Sequence, residues 1–225
     1  MIGIIGAMAI EIETIRAKMD EKEEKKIGVM TFVSGKLYGK EIVTTVCGIG
    51  KVAAAIGTQT MIMAYKPECI INTGVAGSLS AKLHIGDVVV ADSLCQHDMD
   101  TSPLGDPLGL ISGINLVDFP TDERVRNLLL ECTENKGVVG KIASGDQFIH
   151  STEQKEFIIS NFNAVACEME GAAIAQTCYS SAVPYCVLRA ISDSADGSSH
   201  MDYGEFLPIA AKNAADIIER FVKAW

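Results

Sequence analysis

The chain is short of positive charge: 19 Lys and Arg stand against 29 Asp and Glu, a formal net charge of −10. Gripping a nucleic-acid backbone needs Lys and Arg at the phosphates, so this balance argues against nucleic acid as a partner but leaves room for an uncharged nucleoside. Acidity by itself is a solubility feature. Aromatic residues are scarce, at 6% against 48% apolar residues, so the core must come from Ile, Val and Ala rather than from large rings. The seven cysteines (47, 69, 95, 132, 167, 178, 186) are odd in number and form no CxxC pair, and the four histidines (84, 97, 150, 200) show no HxxxH spacing. Neither a zinc site nor a disulfide framework is expected; buried free thiols in a reducing cytosol are. Long apolar runs are missing too, so no segment is expected to span a membrane. The opening Met1-Ile2-Gly3-Ile4-Ile5-Gly6 has no basic n-region and is soon followed by Glu11 and Glu13, so it reads as a first strand and not as a signal peptide. The expected location is cytoplasmic.

What the chain does have is alternation. Strand-like runs at residues 2–7, 30–34, 41–47, 69–72, 87–91, 138–144, 164–168 and 185–191 interleave with helical patterns at 10–19, 51–65, 121–135, 152–160, 171–179 and 203–222. The charged run 20–26 reads as a solvated connection, and the Gly/Pro-rich stretch 101–113 as an irregular loop of the kind that forms lids or interfaces. With no internal repeat and no low-complexity linker, residues 1–225 are expected to form one α/β domain: three layers, with a central mixed twisted sheet flanked by helices.

In such sheets ligands gather at the carboxyl ends of strands. Glu11 follows the Gly6-Ala7-Met8 turn; by itself it reads as a helix-start acid favoured by the macrodipole. Asn72-Thr73-Gly74-Val75-Ala76-Gly77 closes a buried run with glycines that permit close backbone approach to a ligand, and holds no Lys or Arg to cradle a phosphate. Glu168 and Glu170 flank Met169; at strand spacing they share one face, which suits a ribose diol as well as an exposed strand end. Arg189 sits inside an apolar strand and needs carboxylate partners, which that pair supplies; Ser192 and Asp193 follow at the strand end, where a structural ion pair with an Asx turn is the plain reading, but the matching charges on both flanking strand ends favour a site. Phe148 could stack on a flat base or belong to the core. His97, Asp98 and Asp100 form a polar cluster best read as structural.

Ordered along the chain, Ile4-Ile5-Gly6-Ala7-Met8 with Glu11, Cys47-Gly48-Ile49-Gly50-Lys51-Val52, Asn72-Thr73-Gly74, Ser144-Gly145-Asp146-Gln147-Phe148-Ile149, Glu168-Met169-Glu170 and Arg189-Ala190-Ile191-Ser192-Asp193 resemble the methylthioadenosine/S-adenosylhomocysteine nucleosidases of the nucleoside phosphorylase superfamily. The resemblance implies hydrolysis of the N-glycosidic bond of 5′-methylthioadenosine and S-adenosylhomocysteine, and extends to 5′-deoxyadenosine. It implies Asp193 as the acid at adenine N7, Glu11 as activator of water, and Glu170 on the ribose hydroxyls beside Met169. Arg189 would orient the carboxylates and the water, Phe148 and Ile149 would frame the adenine, and Met8 and Phe206 would line the 5′ pocket. A small-molecule nucleoside, a homodimer and no cofactor or metal are further implications. Val75 stands where relatives often carry a water-holding hydroxyl, and the segment 101–109 lacks the family's aromatics, which bears on the 5′ substituent. Alternatives of the same fold are a phosphate-using purine nucleoside phosphorylase, an aminodeoxyfutalosine or futalosine hydrolase, and a non-catalytic nucleoside sensor.

Overall fold

The computed structural model describes residues 1–134, 136–195 and 199–225, and the side chains of all of these except 199–202. The expected helix end at Asn135 lies outside the described residues. In chain order the elements are β1 (Ile2–Gly6), α1 (Ala9–Ala17), β2 (Asp20–Ile27), β3 (Met30–Leu37), β4 (Lys40–Val46), α2 (Lys51–Tyr65), β5 (Cys69–Ser78), β6 (Val88–Gln96), β7 (Phe119–Pro120), α3 (Glu123–Cys132), β8 (Gly137–Ser144), α4 (Thr152–Phe162), β9 (Ala166–Glu168), α5 (Gly171–Ser180), β10 (Tyr185–Asp193) and α6 (Ser199–Ala224).

The strands join one mixed, twisted sheet in the order β10-β6-β8-β9-β5-β1-β4-β3-β2, and β10 also pairs with β5. Half the sheet therefore closes on itself, while β1, β4, β3 and β2 extend from it as an open wing. Helices α1, α3 and α6 pack on one face over Ile4, Ile71, Val90 and Leu188. The Ala-rich α2 and α5 pack on the other over Ile5, Ile70, Val89 and Val187. Both faces being covered explains why β5 and β10 are buried at every position and begin as continuous apolar runs rather than as alternating ones, with their polar residues gathered toward the carboxyl ends. The α/β layering expected from the sequence is present.

Helix starts follow local chemistry. Asp122 accepts from Val125 N at 2.9 Å to open α3, and Ser151 accepts from Gln154 N at 3.3 Å to open α4. Residues 20–26, expected as a connection, are instead most of the edge strand β2, paired antiparallel with β3. Its residues are exposed on both sides, so no apolar alternation marks it, and its Lys and Glu side chains are what an open sheet edge tolerates. β5 does not close at Asn72 but runs on through Gly74 and Gly77, and that extension carries the site.

Candidate active site

The carboxyl ends of β1, β5, β9 and β10 meet at one cavity, the concave and partly apolar kind of place where small molecules bind. Glu11, Glu170 and Asp193, more than 150 residues apart in sequence at the extremes, all line it, together with Met8, Val75, Gly77, Phe148, Ile149, Glu168, Met169 and Ser192. Arg189 stands behind the wall, 1% exposed.

Glu11 lies in the first turn of α1. Its Oε2 accepts from Ala7 N at 2.7 Å and Met8 N at 2.9 Å, and its Oε1 from Val75 N at 3.3 Å. The helix-start reading and the site reading are thus both true: capping its own helix points the carboxylate at β5. Burial pushes its pKa up, with the Arg189 charge and the three N–H donors opposing. A carboxylate so held is a stronger base than an exposed one.

The register explains the glycines. In β5, Gly74 pairs with Arg189 and Gly77 with Asp193 of β10. A Cβ on Gly74 would meet Glu11 Oε1 at 2.5 Å and Arg189 Nη1 at 2.9 Å; one on Gly77 would meet Asp193 Oδ1 at 2.9 Å. The glycines therefore make room for the Glu11, Arg189 and Asp193 side chains of neighbouring elements, not only for a ligand. Between Ile191 and Asp193 the register slips, a bulge that re-aims the end of β10. Asp193 Oδ1 then accepts from Ala195 N at 2.9 Å, and Ser192 Oγ donates to Oδ2 at 2.9 Å. The Asx turn expected as the plain reading is present, and it is what fixes the carboxyl.

Glu168 and Glu170 have separate jobs. β9 ends at Glu168, and Glu170 occupies the N-cap position of α5, so the two do not ride one strand face. Glu168 pairs with Arg189 Nη2, takes the Ser144 hydroxyl, and accepts from Gly171 N at 2.8 Å. Arg189 Nη2 also donates to Asn72 Oδ1 at 2.5 Å. Burial works against the charged Glu168, but Arg189 and these donors outweigh it and hold the pKa below the ordinary value. Glu170 is 3.9 Å from Arg189 and accepts from Gly50 N at 2.9 Å. Burial, reinforced by the Glu168 charge, lifts its pKa from 4.5 to about 7. The neighbouring thiols are not nucleophiles: burial and the Glu170 charge push Cys47 to about 12, and burial raises Cys167 as well.

The profile of the Phosphorylase superfamily matches residues 1–223. The 5′-methylthioadenosine/S-adenosylhomocysteine nucleosidase of Staphylococcus carnosus (strain TM300) is 41% identical over 227 residues, covering 100% of both chains. The chain belongs to this nucleosidase family. The crystal structure of the Neisseria meningitidis nucleosidase in complex with methylthio-immucillin-A superposes with a TM-score of 0.96 at 37% identity, covering 100% of this chain and 99% of that one. The native futalosine hydrolase of Helicobacter pylori strain 26695 superposes at 0.95 with 40% identity, covering 100% of this chain and 97% of that one.

Within this nucleosidase frame one expected residue is displaced. Phe206 lines a different cavity, with Leu83, His84, Ser194 and Ile209, and it is Tyr203 that faces the carboxylates. Three residues along a helix amount to about 300° of turn and about 4.5 Å of rise, enough to move a ring from one cavity to the next. The Tyr203 ring stands edge-on to Phe148, centroids 5.7 Å apart, and its hydroxyl meets Met8 Sδ at 3.3 Å. Ile49 and Gln147 also line the cavity and were not singled out. Both stand inside quoted motifs, Cys47-Gly48-Ile49-Gly50-Lys51-Val52 and Ser144-Gly145-Asp146-Gln147-Phe148-Ile149, which is the signal that marks them.

Proposed function

We propose that the protein hydrolyses the N-glycosidic bond of 5′-methylthioadenosine and S-adenosylhomocysteine, releasing adenine and a 5-thio-substituted ribose. The observation that carries this reading is the convergence of Glu11, Glu170 and Asp193 on one cavity lined, among the described residues, by no Lys or Arg. A carboxylate trio suits a sugar that becomes cationic as the bond breaks.

In the reaction the C1′–N9 bond breaks and its electron pair passes to the adenine. Asp193 gives its proton to N7, so the base leaves neutral. Water attacks C1′ and loses a proton to Glu11. Glu170 accepts hydrogen bonds from the ribose hydroxyls, and its negative charge favours the cationic sugar. Val75 brings no hydroxyl to the water; its main-chain N–H, bonded to Glu11, serves by holding the base instead. Arg189 holds Glu168 and stabilises the ionised forms of Glu11 and Glu170 from behind. Phe148, Ile149 and Met169 frame the base and sugar, with Met8 and Tyr203 toward the 5′ group.

Release of free adenine from methylthioadenosine, followed with and without inorganic phosphate, tests the reaction. Equal rates and a reducing-sugar product are expected; strict phosphate dependence with ribose 1-phosphate as product would make it a phosphorylase. Asp193→Asn nearly abolishes turnover and retains ligand binding, and a fully active variant removes the general acid assignment.

The second reading, a futalosine-type hydrolase, is supported by the 40% identity and 0.95 TM-score of the Helicobacter pylori enzyme. It differs only in the 5′ pocket, and side-by-side rates on the two substrate types separate them. A homodimer is part of the proposal. Its support is the exposed apolar set Ile49 (60%), Val52 (70%), Ile56 (54%) and Met63 (72%) on and beside α2, with Leu104 (84%) in the 101–109 segment. A cytoplasmic location is proposed from the seven free, buried cysteines. Among the described residues no helix is long and apolar enough to cross a membrane.

A further inference from the structure

The Gly50-Lys51 turn and the polar residues after β6 have no part in the chemistry above, yet they are bonded to it. Gly50 N donates to Glu170 Oε1 at 2.9 Å. Gly50 stands at φ +97°, a conformation that glycine alone adopts freely. Lys51 N donates to Asp146 Oδ1 at 2.7 Å. The Lys51 ammonium donates to Asp98 Oδ1 at 2.6 Å and to Gln96 Oε1 at 3.0 Å. Asp98 Oδ2 accepts from Asp146 N at 2.8 Å, which closes a ring of bonds through three loops. Gln96 continues it, donating to Gln176 of α5, the helix that Glu170 opens, at 2.6 Å.

The placement of Lys51 needs a reason. It is the first residue of α2, at the helix end whose partial charge disfavours a cation. Its side chain and that of Asp98 are each only 17% exposed, so the pair is poorly screened. Burial works against the charged Asp98, yet the Lys51 bond and the Asp146 N–H hold its pKa below the ordinary value, so it stays ionised. His97 takes no part in the ring; it packs against Gly145. The Lys51–Asp98 pair is thus a fastening for the turn that supplies the N–H donor of Glu170.

We propose that Lys51 and Asp98 are positioning residues, which hold the Gly50 N–H on Glu170 and so fix the carboxylate that binds the ribose. The proposal rests on the ribose role of Glu170 in the nucleosidase reading. The test uses the full-length protein and Lys51→Met, Lys51→Arg, Asp98→Asn and the Lys51→Met/Asp98→Asn double variant. Steady-state rates on methylthioadenosine are read beside the titration of the Glu170 carboxyl by carbon NMR, assigned by its loss in Glu170→Gln. Glu168 of β9, Arg189 of β10, Glu11 of α1, Tyr203 of α6 and Cys47 also face that carboxyl, and none of them is altered.

Lys51→Met is expected to lower kcat/KM roughly tenfold and to move the Glu170 midpoint up by about half to one pH unit, because a donor to the ionised form is loosened. The double variant is expected to be no worse than either single one, since the two residues act as a unit. Lys51→Arg recovers part of the loss. Where Lys51→Met does not fold, Asp98→Asn, which keeps size and an acceptor, gives the same reading. A folded variant with an unmoved midpoint overturns the proposal, whether its rate is intact or lowered. A wild-type protein that does not cleave methylthioadenosine would remove the substrate reading, while the midpoint would still report on the fastening.

Discussion

Replacing Glu170 with Gln is expected to stabilise the fold above neutral pH while destroying the site. In the folded chain the Glu170 carboxyl keeps its proton to about pH 7, against an ordinary 4.5, because it is buried beside the Glu168 charge. Between those two pH values the folded state binds more protons than the unfolded one, so stability falls as pH rises through that window. At ~1.36 kcal/mol for each pH unit of the difference, the ionised carboxylate costs the fold at most about 3 kcal/mol above pH 7. Gln keeps an acceptor for Gly50 N and carries no charge, but it also loses the weak attraction of Arg189. The expected gain at pH 8 is therefore about 1–3 kcal/mol, or roughly 3–10 °C in melting temperature for a chain of this size. At pH 5, where the native carboxyl is already protonated, the gain should nearly vanish. Calorimetric melts of both proteins at pH 5 and pH 8, beside adenine release, read this directly. A Gln variant that is less stable at pH 8, or equally stabilised at both pH values, refutes the argument that the carboxylate is held against its own ionisation.

Glu168→Gln should behave in the opposite way: it leaves the buried Arg189 without its closest anion and costs about 3–5 kcal/mol, read as a melting temperature roughly 10 °C lower or more. Gly74→Ala drives a methyl to within 2.5 Å of Glu11 Oε1 and 2.9 Å of Arg189 Nη1; turnover should fall on the order of a hundredfold, and a soluble variant with native rates would show that this register does not matter. Tyr203→Ala should raise KM for methylthioadenosine roughly tenfold, whereas Phe206→Ala leaves it within about twofold; the reverse result would return the 5′ wall to Phe206.

How much of this was legible in the sequence depended on how local the cause was. The helix at residues 51–65 is where its Ala-rich pattern puts it, and the hairpin of β3 and β4 follows from the Gly39 turn. The carboxylates could be picked out because each is anchored by a motif of a few residues: a helix start for Glu11, an Asx turn for Asp193, the mouth of α5 for Glu168 and Glu170. What stayed hidden depended on register between distant strands. Nothing in Asn72-Thr73-Gly74 says that Gly74 lies opposite Arg189, nor that Gly77 lies opposite Asp193. The edge strand β2 was invisible because pairing on one side only, with solvent on both faces, imposes no apolar period. Tyr203 and Phe206 differ by less than a helical turn, and only the position of α6 over the strand ends chooses between them.

The same charges that cost stability decide which nucleophile the site accepts. Glu11, Glu168, Glu170 and Asp193 line the cavity, and Arg189 stands behind its wall in contact with Glu168. A unit negative charge about 4 Å from one ionised carboxylate is repelled by about 4 kcal/mol at an effective dielectric of ~20, and a unit positive charge is attracted by as much. Glu11 and Glu170, with pKa values pushed up by burial, respond to the charge that approaches, so the repulsion they exert on an anion is capped by the cost of taking up a proton. An approaching phosphate drives them toward their neutral forms and, among the described residues, meets no Lys or Arg on the cavity lining. A sugar becoming cationic draws them toward ionisation, so the field strengthens along the reaction coordinate. Water carries no charge into this arrangement, and in the proposed reaction Glu11 serves as its base. Hydrolysis rather than phosphorolysis thus follows from the sign of the field that these buried carboxylates create, and the space left by Gly74 is what lets Glu11 and Arg189 come close enough to set it.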